Sequence, residues 1–197
     1  MDKKKDFKFD KRAENYDEGF EGKLSKRFYG LVRENVRLTK GMALLDAGCG
    51  TGTVLKSLAD KCEINGYGVD VEKEMIKQAK AKCPQMDIRV CSCDETPFED
   101  GKFDAITACM AYHHFPDKDK FAKEAARLLK KSGRLYIADP KFPLPVRKAL
   151  NTAMTVHKVS GRFFTADEIA KNFSPFGFRK VAAKSDAYAQ IVILEKI

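Results

Sequence analysis

Three carboxylates and three glycines carry most of the chemical information in this chain of 197 residues. The run Leu44-Leu45-Asp46-Ala47-Gly48-Cys49-Gly50-Thr51-Gly52 sets glycines at alternate positions between an apolar stretch and a helical pattern. Without Cβ atoms the backbone there can turn sharply and come close to a ligand. Asp46 stands just before this loop, where it would repel a pyrophosphate held at the following helix N-terminus and suit an ammonium group instead. A dinucleotide fingerprint would also want Gly or Ala three residues past Gly50, and Thr53 stands there. Asp70, about 20 residues further on, can accept hydrogen bonds from both hydroxyls of a ribose. Asp94, in Cys93-Asp94-Glu95-Thr96-Pro97-Phe98, could accept from an adenine amino group. Taken singly, Asp70 or Asp94 could be a helix cap. Jointly, three acids at three successive strand ends describe an amino-acid-bearing nucleoside.

The elements that must position these residues follow from periodicity. Leu24, Phe28, Leu31, Val32 and Val36 predict an amphipathic helix over 23–38. A buried strand at 42–45 then runs into the glycine loop, and Val54, Leu55, Leu58 and Ala59 form a helix face. A second strand at 67–71 leads to a helix carrying Met75, Ile76 and Ala79. Strands at 87–93 and 103–110 follow, then a helix through Phe121, Ala125, Leu128 and Leu129 that stops near Gly133, and a fifth strand at 135–138. Alternation of this length predicts an α/β fold, a Rossmann-like doubly wound sheet that is mostly parallel with helices on both faces. Toward the end, 145–158 reads as a helix over the site and Thr165-Ala166-Asp167-Glu168 as a capping box. Residues 178–184 and 188–195 read as a C-terminal antiparallel hairpin.

Leu44–Gly52, Gly68-Val69-Asp70-Val71, Asp94–Phe98, Phe103-Asp104 and Leu129–Leu135 together resemble the class I S-adenosylmethionine-dependent methyltransferases. The nearest flavour is the small-molecule group that includes the ubiquinone/menaquinone-biosynthesis enzymes. The resemblance implies one methyltransferase domain over 1–197: a helical cap (1–40), a cofactor-binding core (41–139), a small substrate lid (140–164), and a final helix and hairpin (165–197). It implies S-adenosylmethionine as cofactor, leaving S-adenosylhomocysteine, with Gly48, Gly50 and Gly52 around its methionine and ribose and Asp46 near its ammonium. Asp70 would bind the ribose hydroxyls, Val71 and Met75 would pack near the adenine, and Asp94 with the Glu95 backbone would take its amino group. Cys109 and Tyr16 complete the expected contacts, Tyr16 from an N-terminal element over 9–17. The last strand is expected to slot between two strands that run the other way.

After the fourth strand comes Cys109-Met110-Ala111-Tyr112-His113-His114-Phe115-Pro116, where substrate and methyl group should meet. Tyr112, His113 and His114 are the substrate-facing candidates, and either imidazole could serve as a general base. No catalytic role is assigned, because methyl transfer from a sulfonium can run on alignment and water exclusion alone. Cys91-Ser92-Cys93 reads as buried strand packing, since two thiols without a second pair make a poor metal site. No metal is expected.

The formal net charge of +9 is uneven: residues 1–40 contribute +4, 41–139 contribute −1 and 140–197 contribute +6. Between 141 and 184 there are nine basic and two acidic residues, so an anionic acceptor that meets Lys141, Arg147 and Lys148 is a second expectation. A hydrophobic content of 44% argues against global disorder. The first six residues lack a signal-like apolar run, six cysteines are too few for a disulfide scaffold, and no stretch is long enough to insert in a membrane. A cytoplasmic protein is expected, of unspecified oligomeric state. Three other readings compete: an RNA methyltransferase using the basic flanks, a nicotinamide-dependent oxidoreductase, and a non-catalytic cofactor-binding protein. Cys109-Met110-Ala111-Tyr112 is unlike the Asn-Pro-Pro-Tyr element of base amino-group methylation, and Asp46 with Thr53 disfavours the oxidoreductase.

Overall fold

The computed structural model describes residues 19–157 and 161–197. Tyr16 and the expected element over 9–17 lie outside the described residues. The strands β1 (Ala43–Ala47), β2 (Asn65–Asp70), β3 (Asp87–Val90), β4 (Phe103–Cys109), β5 (Leu129–Pro140), β6 (Phe178–Asp186) and β7 (Ala189–Lys196) form one sheet in the order β3-β2-β1-β4-β5-β7-β6. Pairing is parallel from β3 through β5, and β7 is antiparallel to both β5 and β6. β7 therefore lies between two strands that oppose it. The chain reverses direction of travel through the sheet between β1 and β4, the place where such sheets bind ligands.

Strand periodicity explains why both faces are covered. Leu44, Ala105, Tyr136, Ala138, Ile191 and Ile193 point to one face, which α1 (Phe20–Asn35), α2 (Thr53–Ala59) and α3 (Lys73–Lys82) cover with Phe28, Val32, Leu55, Leu58 and Ile76. Their neighbours Leu45, Ile106, Leu135, Ile137, Val192 and Leu194 point to the other. There α4 (Lys118–Leu128) and α6 (Ala166–Phe173) supply Phe121, Ala125, Leu128, Ile169 and Phe173. Thr165 caps α6 in the expected capping box. Between β5 and α6 stands α5 (Leu144–Val156), which buries none of its residues below the surface.

Of the boundaries that differ from the periodicity, three shape the site, and β5 is longer than expected, Leu129–Pro140 against 135–138. β3 ends at Val90 rather than 93, so Cys91-Ser92-Cys93 lie past the strand instead of packing in it. α4 ends at Leu128, not near Gly133: Leu129 already pairs with Phe103, the register then shifts, and Ser132 sits at φ 62°. β4 stops at Cys109 because Met110 is left-handed at φ 54°, its N–H held by the Ala138 carbonyl at 2.8 Å.

Candidate active site

A cavity of about 360 Å³ opens at the C-terminal ends of β1, β2 and β4. That size lies within the range of small-molecule sites, about 300–1,000 Å³. Asp46, Gly48, Gly50, Asp70, Val71, Met75, Cys109 and His114 all line it. Among the described residues no lysine or arginine does, whereas Asp46, Asp70 and Glu72 do. The walls are thus those of a site for a cation.

The loop after β1 owes its path to backbone contacts. The N–H groups of Gly48 and Cys49 both donate to the Val69 carbonyl, at 2.8 and 3.0 Å, pinning the loop to β2. Gly50, at φ 50°, has no atom within 4 Å of where a Cβ would stand, so its open side is cavity. Gly52 does something else: a Cβ there would meet Ala79 of α3 at 3.1 Å, and the residue does not line the cavity. Its requirement is close packing of α2 on α3, and it caps α2 in the left-handed region at φ 77°.

Asp70 ends β2 as expected. Its Oδ2 accepts the Gly50 N–H at 2.9 Å and its Oδ1 the Glu72 N–H at 3.0 Å. A carboxylate is acceptor-only, the chemistry that a diol's hydroxyl donors call for. Asp46 is only 1% exposed at the end of β1 and accepts the Thr107 hydroxyl at 2.7 Å. Desolvation pushes its carboxyl up to about 7, the Thr107 hydrogen bond opposes this, and nearby Asp70 adds to it. A carboxylate in that state gains from a cation placed beside it.

Several expected residues are elsewhere. Asp94 and Glu95 do not line the cavity; Asp94 accepts from the Ser92 hydroxyl. With β3 four residues shorter than Asp94 requires, the stretch that lines the cavity beyond this strand is Cys91-Ser92-Cys93. Tyr112 is fully buried, its ring within 5.7–6.2 Å of Phe115, Phe121, Phe164 and Phe173, and its hydroxyl accepts from Asn172 at 3.1 Å. It is a core residue, not a substrate-facing one. His113 is also off the cavity wall: its Nδ1 lies 2.9 Å from Asp139 Oδ1, both side chains being about 5% exposed or less. Its ring stacks on Phe163 and lies 4.0 Å, centroid to centroid, from that of His114. Lys118 ties the same turn down by donating to the Phe115 and His113 carbonyls, and burial lowers its ammonium to about 8.

Of the described lid cations, none lines the cavity: Arg147 pairs with Glu168 at 2.6 Å and Lys141 donates to Ser185 at 3.0 Å. Burial raises the thiols of Cys49, Cys93 and Cys109, which keeps them protonated. No group of three or more His, Cys, Asp or Glu able to hold a metal occurs among the described residues. Sequence reasoning missed Tyr29, Glu72, the Cys91–Cys93 stretch and Asp139. Asp139 was findable by the rule that selected Asp46 and Asp70, an acid at the C-terminal end of a parallel strand.

Comparison with known proteins agrees with this geometry. Residues 45–137 match a family described as a methyltransferase domain. A ubiquinone/menaquinone biosynthesis C-methyltransferase of Geotalea uraniireducens is 31% identical over 136 residues, covering 64% of this chain and 58% of the relative. The chain spans little more than half the length of that relative. The fold is shared, at TM-score 0.79 and 18% identity over 94% of both chains, with the partner of the Haloferax volcanii Trm112 methyltransferase activator. It is shared also with geranyl diphosphate C-methyltransferase of Streptomyces coelicolor, solved with S-adenosyl-L-homocysteine, at TM-score 0.75 and 13% identity over 89% of this chain and 77% of that one.

Proposed function

We propose that this chain, whose residues 45–137 match a methyltransferase-domain family, transfers a methyl group from S-adenosylmethionine to an uncharged, hydroxyl-bearing small molecule. One observation carries this reading: Asp46 and Asp70 line the same cavity, and no lysine or arginine of the described residues does. An S-adenosylmethionine molecule brings an ammonium and a sulfonium, two cations, and a ribose diol. The residues fit that group. Asp46 would hold the ammonium of the amino-acid end, Asp70 the diol, and Val71 with Met75 and the Cys91–Cys93 stretch the base. Asp94 and Glu95 remain contacts implied by family resemblance only, and Gly52 would act indirectly by seating α2 on α3.

When bound, the cofactor supplies an activated methyl group on a positive sulfur. What the chain adds is placement. Met110, Ala111, Phe115 and Pro116 wall the β4 end of the cavity, excluding water and favouring an acceptor with apolar surface. His114 is the cavity-lining imidazole and would accept the acceptor's hydroxyl proton as the oxygen or ring carbon gains nucleophilic character. His113 would position it, ring against ring, while Asp139 fixes the His113 orientation.

The anionic acceptor expected from the basic 141–184 segment has no support in the cavity wall, and an uncharged one suits it better. Quinol-type acceptors combine hydroxyls with apolar rings and fall in this class; the Geotalea relative is named for ubiquinone/menaquinone biosynthesis. The test is incubation with S-adenosylmethionine and a panel of hydroxylated aromatic and carboxylated compounds, read by mass spectrometry. Methylated products are expected among the uncharged hydroxyl compounds and lost in Asp70→Ala. Turnover confined to the carboxylated compounds, or none with any acceptor despite cofactor binding, would overturn the assignment.

A further inference from the structure

The inner face of α5 is well held. Asn151 exchanges two hydrogen bonds with the Phe163 backbone, at 2.9 and 3.0 Å, and Arg147 pairs with Glu168 at 2.6 Å. The outer face is different. Val146, Ala149, Ala153 and Val156, at i, i+3, i+7 and i+10, make an exposed apolar stripe, with Val146 45% and Val156 69% exposed. Around it, residues 140–164 include five basic residues and no acidic one. Lys141, Lys148 and Arg162 are exposed. An apolar stripe rimmed by cations is the pattern of a helix that lies in a membrane interface, apolar side down and cations among headgroups.

We propose that the outer face of α5 docks on an anionic lipid bilayer. Charge complementarity selects that occupant. A symmetric contact between two copies would press this acid-free segment against its own image, cation to cation. A bilayer bearing anionic lipid instead presents continuous negative charge over the whole footprint. Position gives the docking a use: Phe163 stacks on His113 at 5.2 Å and meets Phe142 edge-on at 4.9 Å. α5 therefore stands one side-chain layer from the His113–His114 turn, and docking would set the cavity mouth beside the membrane. Among the described residues no helix is long and apolar enough to cross a membrane; the contact is with the surface. It does not depend on the methyl-transfer reading.

A net charge of +9 would draw the protein weakly to any anionic surface, so the test uses variants that keep the charge. The chain contains no tryptophan. Val156→Trp therefore places a sole indole on the stripe, and Ile197→Trp places one at a 70% exposed control position near the opposite edge of the sheet. With vesicles of equimolar phosphatidylcholine and phosphatidylglycerol, the Val156→Trp emission is expected to move from water-like to blue-shifted, and the Ile197→Trp emission to stay water-like. Pure phosphatidylcholine should shift neither. In cosedimentation, Val146→Gln/Val156→Gln should weaken binding about tenfold, with an unchanged thermal melt. Four outcomes would overturn the proposal. A Val156→Trp indole already blue-shifted before vesicles are added would mean that this chain or a second copy covers the stripe. No shift on anionic vesicles, equal shifts at both positions, or cosedimentation unchanged in the double variant would also sink it.

Discussion

Asp104 and Asp46 sit near opposite ends of two adjacent strands, β4 and β1, and their surroundings differ in kind. Asp104, at the N-terminal edge of the sheet, receives Lys130 at 2.7 Å and the Ala43 N–H at 2.9 Å. Burial alone would raise its carboxyl, and these donors bring it below the ordinary range. At the same edge Glu195 is shared by Arg179 and Arg134, and both lower it. At the C-terminal edge Asp46 meets a neutral hydroxyl and is pushed up to about 7, chiefly by burial. Asp139 meets His113 instead of a lysine or arginine. One edge supplies cations to its acids. The other gives Asp46 a hydroxyl and Asp70 backbone N–H groups, and opens onto a cavity without lysine or arginine among its described lining residues. The difference marks where a cation from outside the chain belongs, and it separates acids kept for stability from acids kept for binding.

The contrast can be broken by substitution. The largest expected effect is that of Asp46→Asn on the ligand-free protein. A carboxyl whose folded value exceeds its unfolded one holds its proton more tightly when folded, so it costs stability as pH rises from about 4 to about 7 and by a constant amount above that. The variant should therefore be about 2–4 kcal/mol more stable than the parent at pH 8 and nearly equal to it at pH 4, measured by urea denaturation. Equal stability at both values would mean that Asp46 is not in the state described. The same variant should lose about tenfold to thirtyfold in S-adenosylhomocysteine affinity at pH 8, read by calorimetry.

A pH series sharpens the point. In the parent, affinity for S-adenosylhomocysteine, whose ammonium would lie beside Asp46, should fall as pH drops below about 7, by no more than about tenfold per unit, as Asp46 takes up a proton. That slope should be absent from Asp46→Asn. Smallest is the effect at the other edge: Asp104→Asn should cost about 0.5–1 kcal/mol of stability, discounted because Lys130 is half exposed. It should leave ligand affinity unchanged, and a binding defect there would erase the distinction between the edges.

Much of this arrangement was legible in the sequence because two periods carry it. The continuous apolar run 42–45 and the strand pattern at 67–71 located Asp46 and Asp70 at strand ends, and three spaced glycines located the loop. What escaped depended on partners distant in sequence. Asp94 was placed at the end of a strand because Cys91 and Cys93 extend the apolar alternation, yet β3 is an edge strand that pairs with β2 only to Val90. Tyr112 looked substrate-facing by position, but Phe164, Phe173 and Asn172 enclose it from about 50–60 residues away in the chain. The basic lid suggested an acceptor charge, and Glu168 of α6 takes Arg147 out of that role. Leu129 continues the helical spacing of α4, but strand pairing to Phe103 overrides it.

The central claim is that the acids of the C-terminal edge hold a cationic nucleoside cofactor, and calorimetric titration with S-adenosylhomocysteine tests it most directly. At pH 7, saturable binding is expected for the parent, with about half a proton released as Asp46 ionises beside the ligand's ammonium. Asp70→Ala is expected to bind about a hundredfold more weakly, with its fold intact by thermal melt. No saturable binding by the parent, or equal affinity in Asp70→Ala, would contradict the account.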